Sequence, residues 1–439
     1  MSGKVLMFTA VVSIFFVSGS QAAHYDSNWV GGPAGEWENE FNWNPALIPD
    51  NEGADTFDVS INSGGGEVQV GLLQSHDVNE LDCYGNVDLE AWVSNWIQLI
   101  LYNGLTNHNV LEIDEMNIYG DITNIPGAML ELDEIDVDGN IYNQENAIIV
   151  VNGGVSIESN AAIGGNLENS GTIEVVPSGD LSVEIHINNT NTIMVYGGVC
   201  GVNAGGIFDN NSTGLIKGFG VLYANQLLRN KGRIIAFSGS LTVASEGAVL
   251  NSGTLKNTPL SSLYMKTSLH SEPAEDVNNH GIIEVNAGGG IAFDCNLVNE
   301  PNGLIQLAGG ALSATRITQH ADANFAGFGS ITGDVIIDPN GLVEITGPTN
   351  IVGDVNIQTN ATFEVSDGIT LVTGHTTNNG TIHMKGGRLI PQGGITNNGN
   401  IIWEPGLYNN TADFNLDGTV NLKDFALFAD TWLWQTAWE

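Results

Sequence analysis

Basic residues are the scarcest chemistry in this chain: 11 lysines and arginines stand against 50 acidic residues, for a formal net charge of −39 over 439 residues. No cationic patch is available to meet phosphates, which argues against nucleic acid or an anionic membrane as partner. Cysteine is nearly absent. Cys83, Cys200 and Cys295 are far apart and odd in number, so they imply no disulfide framework and read as small buried side chains. Long apolar runs are missing too, except at the N-terminus, where Lys4 precedes Val5 to Val17 and then Ser18-Gly-Ser20-Gln-Ala22-Ala23. That run is short for a bilayer span and ends in small residues, the pattern of a secretory signal peptide over residues 1–22. The mature chain is therefore expected outside the cytoplasm, secreted or at the cell surface, with no membrane insertion.

Familiar catalytic constellations are lacking as well. No Asp-Asp pair and no His-Glu-x-x-His occurs, and histidines such as His375 and His383 show no metal-ligand spacing. Proton abstraction beside a uronate carboxylate needs a base and cationic neutralisation, for which this chain has few candidates. A pair of carboxylates on neighbouring repeats remains open as an acid–base couple.

Glycine and regularity are present in quantity. There are 56 glycines, a hydrophobic content of 42% and only 14% charged residues, which points to many short buried strands with tight turns. Leu111-Glu-Ile-Asp-Glu-Met-Asn-Ile-Tyr-Gly120 returns at an offset of 19 as Leu130-Glu-Leu-Asp-Glu-Ile-Asp-Val-Asp-Gly139. Gly333-Asp-Val335 returns at 20 as Gly353-Asp-Val355, and Asn378-Asn-Gly380 at 19 as Asn397-Asn-Gly399. Such repetition, with apolar alternation broken by Gly, Asn or Asp, predicts an all-β fold, a parallel β-helix of about 20 residues per coil. Stacked at about 4.8 Å, about seventeen coils between Val59 and Pro405 make a rod of roughly 80 Å. Asparagines at repeated turns are expected to bond coil to coil. The domain reading is 1–22 signal peptide, 23–58 Trp-rich cap, 59–405 parallel β-helix and 406–439 a calcium-binding segment.

Calcium enters through Asp413-Phe-Asn415-Leu-Asp417-Gly418-Thr419-Val-Asn421-Leu-Lys-Asp424. Oxygen-bearing side chains fall at loop positions 1, 3, 5, 9 and 12, with glycine at 6 and the Thr419 carbonyl at 7, the arrangement a hard cation needs. The metal candidates are thus Asp413, Asn415, Asp417, Thr419, Asn421 and Asp424, with Ca2+ as cofactor. Leu422, Phe425, Ala426, Ala429, Trp432 and Leu433 follow at helical spacing. A second match to the loop template, from Glu134 to Glu145, falls inside the repeat and reads as strand and turn.

With Asp at position 12, the tail resembles one half of a type I dockerin, which implies a cohesin-like or other protein partner. Only one of the two dockerin segments is present. The phrase from Trp29 to Asp55, with Trp37 and Trp43, resembles the opening module of secreted β-helical surface proteins, including autotransporter-like passenger regions; in the chain's own terms it closes one end of the rod. Arg229-Asn-Lys231 imitates the Arg-x-Lys phrase of polygalacturonases, yet the family's Gly-His-Gly phrase is missing, so both residues read as surface groups. The leading expectation is a calcium-binding surface or matrix protein that binds polysaccharide or partner proteins. Its rival is a polysaccharide lyase or glycoside hydrolase recruited through the dockerin-like tail.

Overall fold

The computed structural model describes residues 23–404 apart from 52–54, 93–96, 159–164, 204 and 268–274. The expected signal peptide and the six expected calcium ligands lie outside the described residues. Alternating strands wind into a parallel β-solenoid, and among the described residues the only helical turn is Glu40–Asn42. One coil holds three strands, as in Leu105–Asn107, Val110–Asp114 and Met116–Tyr119. We name the three faces they build the asparagine face, the carboxylate face and the third face.

The sequence offsets are the registers of pairing. Leu111 lies beside Leu130, Val335 beside Val355 and Ile382 beside Ile401, all in parallel strands. Period-two alternation sends one residue in and the next out. On the carboxylate face Leu111, Leu130, Ile149, Ile173 and Ile193 therefore stack into one inward column, each essentially fully buried. Each such side chain contributes about 1.5–3 kcal/mol of burial. Cys83, Cys200 and Cys295 fill the same interior as free thiols, and burial pushes Cys83 and Cys200 far from reactivity.

One inward column is polar. Asn107, Asn124, Asn143, Asn169, Asn189, Asn210, Asn230, Asn251, Asn279 and Asn299 occupy successive coils, all buried. Each side-chain Nδ2 donates to the Oδ1 of the next, at 2.6–3.0 Å, and the last donates to Gln319 Oε1 at 2.8 Å. The amide's second hydrogen is taken by a backbone carbonyl in most rungs, such as Thr172 for Asn143. Both ends of the chain of amides close locally: Asn107 Oδ1 accepts from Asn109 N, and Gln319 Nε2 donates to the Ala323 carbonyl. Beyond the ends the column turns apolar, with Ile61 and Cys83 on one side and Ile337 and Ile357 on the other.

Directly after the ladder the chain turns a corner, where glycine stacks on glycine. A Cβ at Gly253 would lie 2.0 Å from the Gly232 carbonyl oxygen, which is why Asn-x-Gly recurs there. At the N-terminal end Trp29, Trp37 and Trp43 are buried and pack edge to face, with Trp43 Nε1 donating to the Trp37 carbonyl at 2.7 Å. Strand His24–Trp29 pairs in parallel with the start of Thr56–Leu72, so this segment also supplies a rung of its own.

Candidate cation-binding face

The carboxylate face earns its name over the first coils. Gln69, Asp88, Glu112 and Glu131 form one outward column, and Glu90, Asp114 and Asp133 form the next. At the adjoining corner Glu115 and Glu134 hold left-handed backbone, φ 52° and 48°, which turns the chain sharply at an acidic residue in both coils. Beside them a cavity of about 340 Å³ is lined by Glu134, Asp136, Ser156, Asp180 and Ser182.

Electrostatics make this arrangement costly when unliganded. Burial, together with the charges of Glu90 and Glu67, pushes the Asp88 carboxyl above its usual range against a hydrogen bond from Gln69. Glu112 is raised by burial and by Asp88, Glu131 and Asp114; Asp114 is raised by burial and by Asp133, Glu115 and Glu90. Among the described residues no lysine or arginine pairs with Asp88, Glu112, Asp114, Glu131 or Asp133. Like charges one rung apart repel by about 1 kcal/mol each even at the dielectric of water. A hard divalent cation takes six to eight oxygens at about 2.3–2.6 Å; among the described residues no three of these column carboxylates bring their ligand atoms within 4.8 Å of one another, so the columns offer a diffuse field of oxygens and not a formed cage.

A smaller group sits at the first rung. The ligand atoms of His24, Asp26 and Asp58 lie within 4.8 Å of one another, with His24 Nε2 3.1 Å from Asp58 Oδ2. The segment from Glu134 to Glu145, which fits a calcium-loop template, forms strands Ile135–Asp138 and Ile141–Asn143 on two different faces. It does not wrap around one point.

Arg229, His383 and His375 are satisfied structurally. Arg229 forks onto Asp209 with Nε and Nη2 both at 2.5 Å, and His186 Nε2 lies 3.0 Å from the same carboxylate. His383 lies between Glu364 and Glu404, and His375 meets the Gly393 carbonyl and Thr396. A buried group escaped the sequence reading altogether. His76, fully buried and stacked on Trp37, holds Glu38 at 3.0 Å and Asp50 at 3.2 Å.

Fold and surface together define an acidic parallel β-solenoid. No family model matches the chain, and no curated protein does. Among solved structures the chain is similar to the TibC-catalysed hyper-glycosylated TibA fragment 55–350, at 14% identity, over 76% of this chain and 98% of that one, with a TM-score of 0.34. No helix among the described residues is long and apolar enough to cross a membrane.

Proposed function

We propose that this chain is a secreted, calcium-dependent display rod of a surface or matrix, which binds polysaccharide or protein partners and attaches through its C-terminal segment. The observation that carries the reading is the pair of stacked carboxylate columns, which have no lysine or arginine partner among the described residues. Parallel pairing in register repeats the same outward positions rung after rung, an arrangement suited to presenting repeated groups to an extended partner. The signal-like N-terminus supports export to a calcium-rich medium, and the spacing from Asp413 to Asp424 supports a second, tighter calcium site in the tail.

Calorimetric titration of the mature protein with calcium tests both sites. Glu112→Gln/Asp114→Asn/Glu131→Gln is expected to remove the weak binding, and Asp413→Ala/Asp417→Ala the tight binding. Isotherms unchanged by both variants would reject the reading. On a panel of insoluble polysaccharides, retention without release of reducing or unsaturated ends is expected. Product release would make this a polysaccharide-active enzyme instead.

A further inference from the structure

One short phrase stands twice at the same bend of the rod. Gly218-Phe219-Gly220 and Gly327-Phe328-Gly329 each carry the chain from the carboxylate face to the third face. They lie five rungs apart, roughly 24 Å at about 4.8 Å per rung. All four glycines hold φ between 123° and 143°, backbone that side chains rarely tolerate, so phenylalanine is the one side chain on each bend. The neighbouring rungs match as well. A Cβ on Gly197 would lie 3.1 Å from Phe219 Cε2, and one on Gly309 would lie 3.2 Å from Phe328 Cε2.

The two bends differ in what stands beside the ring. Tyr196 is the partner of Phe219 on the rung before, and Phe237 takes the equivalent place on the rung after, following the Gly218–Ala236 pair. Around Phe328 the same two places hold Ala308 and Thr346. Space that is given to rings at the first bend is open at the second. A cavity of about 690 Å³ lies there, lined by Phe328, Pro348, Ile369, Gly310, Ser330 and Asn350 among others, and Phe328 is 40% exposed. No charged side chain lines it, in a molecule of net charge −39. Among the described residues the side chains of Ser330 and Asn350 make no hydrogen bond to the protein.

We infer that this cavity binds a neutral glycan chain, one pyranose ring lying on Phe328 in the space that protein rings occupy at the other bend. Charge chooses the occupant. An anionic glycan meets no cation in the cavity and approaches against the field of the whole rod, while a cationic ligand finds no carboxylate there. A purely apolar ligand strips water from Ser330 and Asn350 and returns no hydrogen bond. A neutral sugar serves both halves of the lining. The polarised C–H groups of one ring face pack on the negative face of the aromatic ring, and the hydroxyls at the rim bond to Ser330 and Asn350. A largely apolar cavity with a few polar groups, within the range of about 300–1,000 Å³, is the usual form of a small-ligand site. This assignment rests on the polysaccharide half of the display-rod reading and gives it a place and a chemical class.

Calorimetric titration of the mature protein with neutral hexasaccharides of glucose, mannose and xylose, and with hexagalacturonate as the charged counterpart, tests the assignment. At least one neutral chain is expected to bind, and hexagalacturonate at least tenfold more weakly. Phe328→Ala removes the platform, and Ala311→Trp fills the cavity while leaving Phe328, Ser330 and Asn350 in place. Each is expected to weaken binding at least tenfold with the melting temperature little changed. Phe219→Ala should leave binding intact. Binding should also persist in chelator and in Glu112→Gln/Asp114→Asn/Glu131→Gln, because no carboxylate lines the cavity. No binding of any neutral chain overturns the proposal, and so does binding that both cavity variants leave intact. Retention on insoluble polysaccharide that is indifferent to Phe328→Ala would then leave the display-rod reading standing without this site. Equal affinity for hexagalacturonate, or loss of binding in chelator, would overturn the neutral occupant in favour of the carboxylate face. Anilinonaphthalene sulfonate fluorescence that Ala311→Trp abolishes, with no sugar bound, would overturn it in favour of an apolar ligand.

Discussion

Asn230 accepts from Asn210 and donates to Asn251, both at 2.7 Å, while its second hydrogen meets the Thr254 carbonyl at 3.3 Å. Every amide in the interior of the ladder is satisfied only because both neighbours are amides, so the column behaves as a unit. Leucine at 230 fills the space but leaves a buried donor below and a buried acceptor above without partners, at about 1–3 kcal/mol each. At the ladder's end the situation differs. Leucine at 319 removes one acceptor from Asn299, which still donates to Asn324 O at 3.0 Å, and the donor to the Ala323 carbonyl, but orphans no second ladder amide, so a cost of about 1–2 kcal/mol is expected. Asn230→Leu is therefore predicted to lower the urea midpoint clearly more than Gln319→Leu. Equal losses would show that the amides act as independent pairs. The apolar Ile337 and Ile357 further on fit the same logic, since each has an apolar neighbour in its column.

Among the elements, the N-terminal closure depends on a charge network as well as on tryptophan. Burial works against the charge of Glu38, but hydrogen bonds from His76 and from the Leu73 backbone outweigh it and hold the carboxyl below its ordinary value. A depressed acid contributes stability above its unfolded value and loses it as pH falls through the folded one. His76→Ala leaves two carboxylates facing each other in a mostly buried site, with an expected loss of about 3–5 kcal/mol confined to the first coils. Exchange of residues 24–72 by mass spectrometry reads this directly, and uniform loosening of the rod would contradict a local role. Little of this network was legible beforehand, because its members are 26 and 38 residues apart in a stretch that does not repeat. The solenoid was legible because Leu111 and Leu130, or Gly333 and Gly353, meet the same neighbours in the same phase. Phase is also why the ladder was read only as stacked turn asparagines. In Asn378-Asn379-Gly380 it is Asn378 that points inward, and the rung spacings of 26 and 28 residues before Asn169 and Asn279 break any fixed period. The carboxylate columns were half visible, since Glu112 and Asp114 recur as Glu131 and Asp133, while Asp88 and Glu90 join them only in the fold.

At the scale of the whole molecule, a net charge of −39 makes self-repulsion the dominant electrostatic fact, and the carboxylate face concentrates it. Asp88, Glu112 and Asp114 bind protons more tightly folded than unfolded, so in this range the native state carries more protons and stability falls as pH rises. Lowering the pH from 7 toward about 5 is predicted to raise the melting temperature. Below about pH 4 the sign reverses, as Glu38, Asp209 and Glu364 lose the partners that hold them below ordinary values. Calcium at pH 7 should reproduce the acid effect, because a cation between rungs removes the same repulsion that a proton removes. Two comparisons separate binding from screening. Sodium chloride at matched ionic strength acts on every exposed charge alike, whereas millimolar calcium should stabilise more and lose that excess in Glu112→Gln/Asp114→Asn/Glu131→Gln. The variant should also be more stable than wild type in chelator, since it lacks the repulsion itself. If sodium matches calcium, or if the variant in chelator melts below wild type, the columns are ordinary solvated surface and the rod's acidity serves solubility alone.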